Sequence, residues 1–199
     1  MGHGGQSKSS PRLLRYLCSD SCGIAVTEAG ALQSWMKIRL ATEADRDAIW
    51  NIFREVVAPG DTYALDSNIS REDALAYWFA SATHTYVAEQ AAIGVVGTYI
   101  LRPNQSGGGS HVANAGFMVS ASARGHGIGR AMAEHCLDEA RRLGFRAMQF
   151  NYVISTNTAA IRLWQDLGFE IVGTLTGAFR HPQEGYVDVY LMYRSLLED

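Results

Sequence analysis

Seven residues, Arg124-Gly125-His126-Gly127-Ile128-Gly129-Arg130, constrain the fold of this chain more than any others. They follow an apolar, strand-like run, Ala115-Gly116-Phe117-Met118-Val119. They open a segment whose apolar residues Ile128, Ala131, Met132, Cys136, Ala140 and Leu143 recur at helical spacing. The order is strand, short glycine turn, helix. A helix N-terminus presents unpaired N–H groups and the positive end of the macrodipole, and both suit a phosphate. Glycines let the backbone approach such a group without a side chain in the way, and Arg124 and Arg130 add positive charge.

Spacing separates the phosphate loops that share this logic. A P-loop requires Lys-Ser/Thr after its last glycine, which is missing here. A dinucleotide fingerprint requires glycine at its sixth position, and counting from Gly125 that position is Arg130. The pattern Arg124-x-x-Gly127-x-Gly129 resembles the acetyl-CoA loop of the GCN5-related N-acetyltransferases (GNAT), whose loop amides hold the CoA pyrophosphate. The alternative is a glycine-rich turn before an ordinary helix. A second stretch, Asn157-Thr158-Ala159-Ala160-Ile161-Arg162-Leu163-Trp164-Gln165-Asp166-Leu167-Gly168-Phe169, resembles the same family's Asn-initiated helix ending in Leu-Gly-Phe. Ala160, Leu163, Trp164 and Leu167 form one apolar stripe. Asn157 suits an N-cap, and Gly168 stands where a left-handed residue ends a helix.

The resemblance implies an α/β fold of GNAT type: a mixed, mostly antiparallel sheet of about seven strands, splayed at the cofactor site and flanked by about four helices. It implies acetyl-CoA as co-substrate and no metal. It also implies a cofactor site made of Phe117, Met118, Val119, Arg124, Gly125, His126, Gly127, Ile128, Gly129, Arg130, Asn157, Ala160 and Trp164. In such enzymes the strand before the loop, here Phe117-Met118-Val119, departs from regular pairing and offers N–H groups to the cofactor. Homodimers are common in the superfamily, so a dimer is expected, with no interface indicated.

Composition bounds the remaining classes. The chain has 199 residues, 47% hydrophobic and 19% charged, as expected of one globular domain. A net charge of −3 argues against a nucleic-acid footprint, which needs a concentrated basic face. The three cysteines, Cys18, Cys22 and Cys136, suit neither a disulfide framework nor a zinc site, and Cys136 falls on the apolar face of its helix. No apolar run approaches a membrane span, so a cytoplasmic location is expected. Residues 1–35 differ from the rest: 1–10 are polar and Gly/Ser-rich, and Arg12 to Leu17 is too short and charged for a secretory signal. They read as a flexible or weakly packed extension, with the acetyltransferase domain over 36–199.

The pattern predicts strand 36–40, a helix from Thr42 to about Val57 with Ile49, Ile52, Phe53 and Val56 buried, and a helix over 70–80. It predicts strands near 84–89 and 92–101, a turn over 102–110, and strand 111–119. After the glycine loop and its helix come strand 146–153, the second-signature helix, and strands near 169–176 and 186–193. Arg180-His181-Pro182 reads as a polar loop.

Acetyl transfer to an amine requires a held and polarised thioester and a neutral amine. An alkylamine of pKa near ~10 is about 0.1% neutral at pH 7, a cost of roughly 4 kcal/mol. Many relatives use a Glu on a central strand as base and a Tyr on the second-signature helix as acid. Here strand 111–119 offers His111 and Asn114, strand 146–153 offers Gln149, Asn151 and Tyr152, and the helix carries Trp164, whose indole is no acid. Asn114 and Asn151 are unusual in strands. Together with Gly60-Asp61-Thr62-Tyr63, Tyr77-Trp78-Phe79, Asn114-Ala115-Gly116-Phe117 and Phe150-Asn151, they resemble the fungal proline-analogue N-acetyltransferases, which acetylate small cyclic amino acids such as azetidine-2-carboxylate. That resemblance implies catalytic and substrate-positioning roles for Asn114 and Asn151, with Phe117 beside the substrate. A purely structural role for both asparagines stays open. So do Tyr152, Tyr186, Tyr190 or Tyr193 as source of the missing hydroxyl, and His111 as a weak base candidate, while His126 reads as a loop residue near the phosphate rather than a catalyst. The expected function is acetyl-CoA-dependent acetylation of a small amine. The alternatives are acetylation of protein N-termini or lysines, and a non-catalytic acyl-CoA-binding regulator.

Overall fold

The computed structural model describes Met1 and residues 36–197. The readings that fall on residues 2–35, including the N-terminal extension, Cys18 and Cys22, lie outside the described residues. Strand β1 (Met36–Leu40) leads through a 3-10 turn (Glu43–Asp45) into helix α1 (Arg46–Val57), followed by α2 (Arg71–Trp78). Next come β2 (His84–Gln90), β3 (Gly94–Pro103), β4 (Val112–Val119), α3 (Ile128–Arg142) and β5 (Ala147–Ile154). Helix α4 (Thr158–Asp166) and the hairpin of β6 (Glu170–His181) and β7 (Gly185–Ser195) complete the chain. The element order is the predicted one. The seven strands make one open sheet in the order β1-β2-β3-β4-β5-β7-β6, antiparallel throughout except where β4 meets β5.

Hydrophobic periodicity accounts for both layers. Ile49, Ile52, Phe53 and Val56 of α1 are buried with Trp78, Ile100 and Met118 on one face of the sheet. Ile128, Met132, Cys136 and Ala140 of α3 and Trp164 of α4 are buried on the other face with Tyr86, Tyr99 and Phe150. Trp78 is fully buried, and its indole N–H donates to the Thr98 hydroxyl at 2.9 Å, so a large apolar body enters the core without an orphaned donor. Helix α4 ends as its sequence indicates. Gly168 has φ +79° and donates to Gln165 O, while Phe169 donates to Trp164 O, the paired bonds of a Schellman motif.

Three boundaries differ from expectation. The predicted first turn of α1 is 3-10, closed by Asp45, which accepts from the Thr42 N–H and hydroxyl at 2.7 and 2.9 Å and from both arms of Arg39. Strand β3 runs on through Arg102 and Pro103, which pair with Asn114 and Ala113. A proline at a strand's last residue removes no needed donor. Strand β6 runs on through Arg180 and His181, paired with Tyr186 and Gly185, so the predicted polar loop shrinks to Pro182–Glu184.

Candidate active site

Strands β4 and β5 run parallel for only two register pairs, Val112↔Ala147 and Ala113↔Met148, and then part. Strand β5 instead follows β7, with its register slipping between Phe150 and Val153 so that Asn151 and Tyr152 bulge outward and are exposed. The edge of β4 facing the gap follows from alternation. His111 O accepts from Arg146 on the β5 side, and Val112 O accepts from Asn104 on the β3 side. Odd-numbered residues therefore turn their backbone groups toward β5, and beyond Ala113 the N–H groups of Ala115, Phe117 and Val119 face the opening. Pairing of β4 with β3 stays regular through Val119. The expected departure from regular pairing thus lies on the β5 edge alone. Met118 turns its backbone to β3 and its side chain into the α1/α2 core.

Side chains patch the parted strands. The Asn114 Nδ2 donates to Gln149 O at 2.8 Å, one residue past the last register pair, where a backbone partner is no longer in reach. The Tyr63 hydroxyl donates to Phe117 O at 2.8 Å. Burial pushes the Tyr63 phenol well above the usual tyrosine range. Asn151 is fixed from both ends: its Oδ1 accepts from Gln149 Nε2 at 2.8 Å, and its Nδ2 donates to Asn104 Oδ1 at 2.6 Å.

Between the strands lies a cavity of about 280 Å³, whose lining includes Tyr63, Tyr77, Arg102, Asn114, Phe117 and Asn151. Asn157, Ala160 and Trp164 of the α4 region close its other side. Trp164 packs against Phe150 and Phe117 with ring centroids 4.5 and 5.0 Å apart. The Asn157 Oδ1 accepts from Ala160 N–H as the N-cap of α4, which leaves its Nδ2 available to the cavity. Among the described residues no carboxylate or imidazole lines this cavity.

The glycine loop adjoins the site at the end of β4. Gly125 and Gly127 have φ of +78° and +77°, and a Cβ at either would meet nothing within 4 Å. Gly127 caps α3 with no side-chain hydrogen bond, so the first N–H groups of the helix keep no side-chain partner. A Cβ on Gly129 would lie 4.0 Å from Val119 and 3.9 Å from Leu163, placing this turn against β4 and α4. The open cradle fits a pyrophosphate in shape and donor chemistry. Ile128 is buried beneath it. Arg124 and His126 are exposed, with the His126 ring bonded to Arg124 O. Arg130 is engaged elsewhere, donating to Asp166 at 2.6 Å.

The other candidates lie apart. His111 is exposed and bonded to Gly108 O, and neither it nor Tyr186, Tyr190 or Tyr193 lines the cavity. Tyr152 lines it, but its hydroxyl donates to Ala178 O and ties β5 to β6. Sequence reasoning missed Tyr63, Arg102 and Asn104 as site residues. Tyr63 reaches its partner across 54 positions, and Pro103 made its neighbours read as a turn. Among the described residues no cluster of three His, Cys, Asp or Glu side chains is placed to hold a metal.

Residues 46–169 match the acetyltransferase (GNAT) family. The N-acetyltransferase aca1 of Schizosaccharomyces pombe is 35% identical over 148 residues, covering 66% of this chain and 71% of aca1. The L-methionine sulfoximine/L-methionine sulfone acetyltransferase of Salmonella typhimurium is 29% identical, over 70% of this chain and 83% of that protein. A GCN5-related N-acetyltransferase from Kribbella flavida superposes with TM-score 0.78 at 45% identity, covering 82% of this chain and 99% of that one. The yncA acetyltransferase of Salmonella typhimurium, solved with its cofactor acetyl-CoA, superposes with TM-score 0.72 at 27% identity, covering 82% and 95% of the two chains.

Proposed function

The chain belongs to the acetyltransferase (GNAT) family, and on that premise we propose that it transfers the acetyl group of acetyl-CoA to a small amino acid, with proline-like secondary amines as favoured acceptors. The observation that carries this reading is the cavity of about 280 Å³ where β4 and β5 part, walled by two asparagine amides. That volume suits a small acceptor rather than a long peptide. The acceptors named for one relative, L-methionine sulfoximine and L-methionine sulfone, lend support to an amino acid. The reading carries with it a cytoplasmic location and a homodimer. Among the described residues no helix is long and apolar enough to cross a membrane. Strand β6, an edge strand among the described residues, exposes Ile171, Val172 and Leu175, a candidate surface for the second copy.

Bound acetyl-CoA supplies an acetyl group activated as a thioester. The N–H groups at the start of α3 hold its pyrophosphate, with Arg124 adding charge. The N–H groups of β4 facing the opening are preorganised to polarise the thioester carbonyl. Asn114 and Asn151, each locked by its own hydrogen bonds, orient the acceptor amine. Transfer forms an N–C bond, breaks a C–S bond and releases one proton from the amine. With no carboxylate or imidazole among the described residues of the cavity wall, the acceptor enters as the neutral amine, and the proton it loses passes through water to the departing CoA thiolate, which leaves as the thiol. The kcat/KM should then rise about tenfold per pH unit until the acceptor's own amine pKa, with no earlier plateau from an enzyme base.

A panel of amines assayed by CoA release tests the assignment. Azetidine-2-carboxylate and proline should be turned over, while peptides bearing free N-termini or lysines should not. Turnover of peptides alone would transfer the assignment to a protein acetyltransferase. Acetyl-CoA binding without any turnover would make the chain an acyl-CoA-binding regulator.

A further inference from the structure

A second, more open cavity of about 420 Å³ adjoins the first, with polar residues Ser81, Asn104, Gln105, Ser106 and Ser110 in its lining. Three residues line both cavities: Arg102, Asn114 and Asn151. Arg102 and Asn114 are register partners across β3 and β4, so a cation stands beside an amide at the mouth of the splay. The guanidinium is partly buried and lies 5.0 Å from the Tyr77 ring centroid, with its Nη2 donating to the Tyr77 hydroxyl at 3.3 Å. None of the ion pairs among the described residues includes Arg102. Among the described residues no acidic side chain lines either cavity.

A guanidinium taken partly out of water, oriented by an aromatic face and without an anionic partner, is a preformed receptor for a planar anion. We propose that Arg102 binds the carboxylate of the acceptor, so that the site selects amino acids over the same amines lacking a carboxylate. This rests on the acceptor lying in the β4/β5 cavity, as proposed above. The tether between carboxylate and amine then sets which nitrogen faces the thioester. Asn114 and Asn151 border the same junction and are placed to meet the amine.

The test compares matched pairs, proline with prolinamide and azetidine-2-carboxylate with its amide, by kcat/KM expressed per neutral amine, because the amide's amine is the weaker base, in the wild type, Arg102→Gln and Arg102→Lys. Removing a two-pronged charged interaction corresponds to about a hundredfold or more. The wild type should favour each acid over its amide by about that factor. Arg102→Gln should erase the preference by lowering the acid alone, leaving acetyl-CoA affinity unchanged, and Arg102→Lys should restore only part of it because a point charge lacks the fork. A wild type that treats acid and amide alike overturns the proposal, as does an Arg102→Gln that lowers both equally. If no amine in the panel is acetylated, the enzymatic reading fails separately. Saturation-transfer NMR of proline with CoA-loaded protein then decides the subsite. A proline signal that is present with wild type and vanishes with Arg102→Gln supports it. A signal missing with wild type, or equally strong with the variant, overturns it.

Discussion

Both ends of the Asn151 amide are committed, one to Gln149 and one to Asn104, so its orientation is set before any acceptor arrives. Such preorganisation matters for turnover more than for ground-state binding. Asn151→Ala should lower kcat about a hundredfold while acetyl-CoA affinity changes less than about threefold. Equal losses in both would assign Asn151 to the cofactor instead. Asn114 carries a structural duty as well, since its amide satisfies Gln149 O at the point where the strands part. Asn114→Ala orphans that carbonyl and should cost about 1–2 kcal/mol of stability in chemical denaturation, in addition to activity. The sequence exposed both asparagines as polar residues in strands. It could not expose their partners, because Asn104 lies 47 positions from Asn151 and only the folded sheet brings them together.

Elements whose burial is periodic were the most legible. The stripe of α1, the buried face of α3 and the cap-to-cap boundaries of α4 all follow from residues within one or two turns of each other. Strand ends were less so, since Pro103 and Pro182 punctuate the chain without ending the pairing where they signal. The start of α1 depends on a contact between elements. Arg39 of β1 grips Asp45, and that hydrogen-bonded pair, reinforced by Thr42, holds the Asp45 carboxyl down at about 2. A carboxyl depressed in the folded state contributes stability that is present above its unfolded pKa of about 4. That contribution is lost as pH falls toward the folded value. Asp45→Asn should therefore lower stability by about 2 kcal/mol at pH 7, with the gap to wild type closing as pH drops from about 4 toward 2. A gap independent of pH would place the cost in packing rather than in the ion pair.

At the scale of the whole molecule, the parallel contact between β4 and β5 is two register pairs long. The parting of β4 and β5 opens the cavity proposed to take the acceptor, and the same β4 leads into the glycine loop. Among the described residues, 36–197 supply a helical layer on each face of the sheet. We therefore propose that deletion of residues 1–35 changes the melting temperature and acetyl-CoA affinity little, and a large fall in either would give that segment a structural role. The exposed β6 edge makes a corresponding statement about assembly. Light scattering should report a dimer that Val172→Glu dissociates, and a monomeric wild type would refute it. The most direct test of the account is calorimetric titration of acetyl-CoA into wild type, Gly127→Ala and Gly127→Glu. Both variants carry the same backbone strain at φ +77°, but only the glutamate fills the cradle with a negative charge. The account predicts tight binding by wild type, modest weakening in the alanine variant, and a loss of at least about a hundredfold in the glutamate variant with its fold intact. Equal affinity in all three, or no binding by folded wild type, would contradict it.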